Sequence, residues 1–98
     1  FSWADISMLQ RGGLAEIRAT GKDGTFVLRH PEKWPDEIDG RIKIKAAYEE
    51  IEAQVEPLVA KRLDSGEIDV VQYNQIYQMH LLDVFASRYG LDYGFEVR

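Results

Sequence analysis

Cysteine is absent from this 98-residue chain, which removes disulfides, Cys-ligated zinc, iron–sulfur clusters and thiol nucleophiles together. No apolar run approaches the roughly 20 residues needed to cross a bilayer. Phe1 to Gly13 lacks the basic start and unbroken apolar stretch of a signal peptide. A cytoplasmic location is therefore the expectation. Basic charge is also scarce: 12 Lys and Arg against 17 Asp and Glu give a net charge of -5. Phosphate backbones and anionic lipid both recruit clustered Lys and Arg, so neither direct nucleic-acid binding nor membrane docking is expected. The chain opens on Phe1 and not on methionine, as a processed or excised chain does.

What is present is ordinary globular material. Hydrophobic residues make up 45% and charged residues 30%, enough for one core and too little chain for two, so a single compact domain over residues 1–98 is expected. Ser2 followed by Asp5, with Trp3, Ile6 and Leu9 at helical spacing, predicts a short helix from Trp3 to Arg11 stopped by Gly12 and Gly13. A strand is the competing reading of so brief a segment.

Leu14 to Thr20 and Thr25 to His30 flank Gly21-Lys22-Asp23-Gly24, the pattern of a hairpin. A four-residue loop pairs Thr20 with Thr25, Ala19 with Phe26 and Ile17 with Leu28, and sets Glu16 against Arg29. A two-residue loop would set Arg18 against Arg29 instead, so charge favours the longer loop. Pro31 to Gly40 reads as a connection pinned to the core by Trp34.

Ile44, Tyr48, Ile51, Val55, Leu58, Val59 and Leu63 recur at three- and four-residue steps and predict a long helix, with a bend near Ala53 to Glu56 ahead of Pro57. Its start is open, because Ile42 and Ile44 also fit a short strand in Arg41 to Lys45. After Asp64-Ser65-Gly66, Asp69 caps a second helix from Val70 to Tyr89, stopped by Gly90. The wide apolar arc of Val70, Tyr73, Ile76, Tyr77, Leu81, Val84, Phe85 and Tyr89 predicts a helix more buried than a surface one. Leu91, Tyr93, Phe95 and Val97 then alternate with polar residues and glycine, a half-buried strand most simply added to the hairpin. The fold class is α+β: a small antiparallel sheet, made of a β-hairpin plus a C-terminal strand, packed against a two-helix hairpin, with a short N-terminal helix.

Chemistry-bearing patterns are thin. Within Leu63 to Tyr73, the Gly66-x-Ile68-Asp69 core resembles the second half of a calcium loop, but aligning Gly66 with its turn glycine places Lys61 and Leu63 at ligand positions and Gln72 where a bidentate glutamate is required. A helix-linking turn is the better reading. His80 and Asp83 could pair as a base and its orienting carboxylate, yet no nucleophile accompanies them. His30, before Pro31, reads as a turn residue. No zinc-type or di-iron-type histidine spacing occurs, and Gly12-Gly13 and Gly21-x-x-Gly24 lack the lysine and helix of a phosphate cradle. No cofactor, metal or catalytic residue is implied.

Two groups lean toward recognition. Glu49, Glu52 and Glu56 line one face of the long helix; a solvated face is the ordinary explanation, and a surface for a basic partner, joined by Asp36, Glu37 and Asp39, is the sharper one. Five tyrosines in so short a chain cannot all bury their hydroxyls cheaply. Tyr73, Tyr77, His80 and Tyr93 thus become candidate partner-binding residues beside Glu49, Glu52 and Glu56. The sequence favours a non-catalytic interaction module or small accessory subunit that binds a protein or its own copy. An acidic inhibitor imitating nucleic acid, and a small enzyme or carrier using His80, are the alternatives.

Overall fold

The computed structural model describes residues 1–98. Helix α1 runs Trp3–Gln10, strands β1 and β2 Glu16–Thr20 and Gly24–Arg29, helices α2 and α3 Arg41–Asp64 and Val70–Tyr89, and strand β3 Tyr93–Val97. The antiparallel sheet has the order β1-β2-β3, and the helices form one layer against it. The α+β class, the hairpin-plus-strand sheet and the short first helix all follow the sequence expectation.

Local chemistry explains the element ends. Ser2 N–H donates to the Asp5 carboxylate at 2.6 Å, half of the capping box that turns the chain into α1. The hairpin adopts the register that avoids setting Arg18 directly opposite Arg29: Thr20 faces Thr25, Ala19 Phe26, Ile17 Leu28 and Glu16 Arg29. The carboxylate of Glu16 nevertheless bonds Arg18 on its own strand, and Arg29 reaches Glu96 on β3 at 3.9 Å. Helix α2 begins at Arg41, so the alternative strand over Arg41 to Lys45 does not form, and it runs unbroken through Pro57. Asp69 accepts from Gln72 N–H at 2.8 Å while the Gln72 side chain accepts from Asp69 N–H at 3.0 Å, and Gly90 closes α3 in the left-handed conformation at φ 65°.

One cluster of 20 buried residues draws from α1, β1, β2, the 31–40 connection, α2, the inter-helix turn and α3. Trp34 and Ile38 anchor the connection in it. Three expectations need correction. Leu58 on α2 and Val70 on α3 are exposed. Most consequentially, β3 contributes nothing to the core: Leu91 just before it is buried, but Tyr93, Phe95 and Val97 are 43%, 47% and 80% exposed. The helical layer causes this, since α3 packs on β1 and β2 and stops short of the third strand. No helix is long and apolar enough to cross a membrane.

The back of the sheet is closed by charge. Val27 lies there and is fully buried, because Arg18 beside it on β1 and Arg29 on its own strand both reach across to Glu96, at 3.1 and 3.9 Å. Their aliphatic stems cover the valine while the charged ends stay wet.

Candidate functional site

Tyr73, Tyr77 and His80 fall at i, i+4 and i+7 and therefore share one side of α3. The two tyrosine rings stack, with centroids 5.8 Å apart and planes 9° from parallel. They lie toward α2, where burial and then the charge of Glu52 push the Tyr77 hydroxyl well above its ordinary range, with Tyr48 and Glu56 adding to the effect. Glu52 also accepts from the Tyr48 hydroxyl at 3.2 Å, and burial with that carboxylate pushes Tyr48 up to about 12. Two candidate groups thus meet: Glu52 and Glu56 of the acidic line stand beside the tyrosine pair.

The rest of that line is compensated. Glu49 lies 4.0 Å from Lys45, and its neighbour Glu50 takes Arg88 of α3 at 3.2 Å. Lys43 donates to the backbone carbonyl of Asp36 at 3.1 Å, placing an ammonium among the acids of the 31–40 connection.

His80 turns toward β3. With Ile76, Met79 and Asp83 of α3 and with Phe26, Tyr93 and Phe95 of the sheet, it lines an open groove of about 420 Å³. This groove is the space left where α3 stops short of β3. Phe26 lies at its floor with Tyr93 stacked on it at 5.4 Å, and Phe95 is the cross-strand partner of Phe26. Asp83 does not orient His80: the Ser87 hydroxyl sits between Asp83, at 3.5 Å, and the Tyr93 hydroxyl, at 3.3 Å. No three His, Asp or Glu side chains stand close enough to hold a metal ion.

Of the residues singled out from sequence, His80 and Tyr93 share the groove, Tyr73 and Tyr77 continue the same flank of α3 toward α2, and Glu52 and Glu56 border them. Glu49 falls outside this band, paired with Lys45. Sequence reasoning missed the groove that Phe26, Ile76, Met79 and Phe95 form: Ile76 and Phe95 fit a core pattern yet stay partly or largely exposed, Phe26 is buried as its pattern implies and still floors the groove, and Met79 falls in no apolar stripe. One signal was available: Ile76, Met79, His80 and Asp83 form a stripe of their own, offset from the buried stripe of Leu81, Leu82, Phe85 and Ala86. Compared with protein-family models, curated proteins and solved structures, the chain matches none.

Proposed function

We propose that this chain is a non-catalytic protein–protein interaction module, a small accessory or adaptor subunit, whose docking surface is the groove between α3 and β3 with the adjoining tyrosine flank. The observation that carries the reading is the exposure of Tyr93, Phe95 and Val97 on an edge strand, next to a groove five of whose seven lining residues are hydrophobic. A contiguous aromatic and aliphatic surface rimmed by polar groups is the composition of an interface centre. His80, Asp83 and Glu56 supply such a rim.

The test is a photo-crosslinking amino acid placed at position 95 and, as a control, at Glu49, with the protein expressed in its native host. Discrete protein adducts from position 95 and none from position 49 are expected. Adduct-free protein at position 95 would end this reading.

A second reading, a carrier of a small apolar ligand, is favoured by one observation: about 420 Å³ lies within the range of small-molecule sites. Native mass spectrometry of the purified chain checks it, with a bound small molecule lost on Met79→Glu as the supporting result.

A further inference from the structure

We propose that β3 is a self-pairing edge: a second copy of this chain lays its own β3 antiparallel along the free side, centred on Phe95, and joins two three-stranded sheets into one. The proposal rests on the reading of the α3–β3 face as an interaction surface and names its occupant.

The backbone is set for it. Arg29 N–H donates to the Asp92 carbonyl at 2.8 Å, and Arg98 N–H donates to the Asp23 carbonyl at 3.1 Å. The even-numbered residues of this segment therefore turn their backbone groups toward β2. By the alternation of a strand, Tyr93, Phe95 and Val97 turn their N–H and C=O groups outward, where β3 has no neighbouring strand. The usual guards of an exposed edge are missing from these three positions, which carry neither proline nor lysine nor an inward charge.

Charge selects the register and the partner. A two-fold axis at Phe95 sets Tyr93 opposite Val97 of the second copy and Phe95 opposite its own equivalent, so all apolar side chains share the groove face. On the other face, Asp92 meets Arg98 of the second copy. Glu96 meets Gly94, and over that glycine lies the Arg29 guanidinium, its Nη1 3.2 Å from where a Cβ would stand. Both oppositions are attractive, and the symmetry repeats each of them. Moving the axis to Gly94 brings Asp92 against Glu96; moving it to Glu96 brings that carboxylate against itself. Like charges directly opposite disfavour both slips.

Sedimentation velocity on the full chain, from micromolar to millimolar concentration, tests the pairing. The expected result is a species of twice the 11.3 kDa chain mass that dissociates on dilution. Asp92→Arg alone and Arg98→Asp alone each oppose like charges at both symmetric sites and raise the dissociation constant about tenfold. Combining the two restores it, with circular dichroism confirming the fold of each variant. A chain that stays monomeric throughout, or a dimer indifferent to Asp92→Arg, or one that the double exchange does not rescue, overturns the proposal. A monomer that still gives foreign adducts from position 95 removes self-pairing alone; absence of every adduct removes the interaction reading as well.

Discussion

Single residues decide how tightly β3 is held. A methyl group added at Gly24 would lie 2.2 Å from the carbonyl oxygen of Glu96 and 2.8 Å from the Phe95 ring, so backbone on one strand blocks any side chain on the other. Gly24→Ala should therefore destabilise the protein by about 1–3 kcal/mol, read from urea unfolding, and hydrogen exchange should show β3 opening first. A second residue-scale effect is alkaline. Tyr48 is raised from its ordinary 10 to about 12 by burial and then by Glu52, so the folded state holds that proton more tightly than the unfolded chain does. The associated stability is complete below pH 10 and is lost as pH climbs toward 12. Tyr77 is shifted in the same direction. Unfolding midpoints measured from pH 9 to 12 should fall, and Tyr48→Phe should flatten part of that fall.

At the scale of elements, helix ends were legible because they are written in short-range chemistry. Asp69 and Gln72 name the start of α3 and Gly90 its end, and the observed span Val70–Tyr89 coincides with the sequence reading. The hairpin register was legible for a similar reason, since of the two loop lengths the turn residues allow, the longer one avoids setting Arg18 directly opposite Arg29. Asp69→Ala should cost about 1 kcal/mol in the same urea experiment, from the orphaned Gln72 N–H. What short-range chemistry could not convey was how far the helical layer reaches. The alternation Leu91, Tyr93, Phe95, Val97 is that of a half-buried strand, and its apolar face does point toward the helices. Whether a helix lies over that face depends on where α3 crosses the sheet, which is a long-range fact. The same limit concealed the candidate site: Ile76 and Phe95 read as covered positions until the third strand proved to lie outside the helical cover, and Phe26, a core residue, proved also to floor an open groove. His80 and Tyr93 were legible as candidates only because a histidine and a tyrosine hydroxyl resist complete burial.

For the whole molecule, the consequence is a division of labour. Stability resides in the 20-residue cluster, and β3 is an appendage of the sheet held by β2 and by the bridge from Glu96 to Arg18 and Arg29. Substitutions on its inward face should therefore separate surface behaviour from folding. Val97→Lys is expected to change unfolding free energy by less than about 0.5 kcal/mol, since Val97 is 80% exposed. The same change should reduce the fluorescence enhancement of an apolar dye and abolish adducts formed from position 95. A large loss of stability in Val97→Lys would show that the strand belongs to the core after all.

The placement of the two indoles has an optical consequence. Trp3 lies against Tyr48, and Trp34 sits beside His30 with its ring N–H buried and unpartnered; neither borders the groove. Intrinsic emission excited at the red edge, where tyrosine is silent, will register melting of the α1–α2 contact and of the 31–40 connection. It will stay dark to an occupant that brings no tryptophan to the contact between α3 and β3, so a titration followed that way would return a flat line even at saturation.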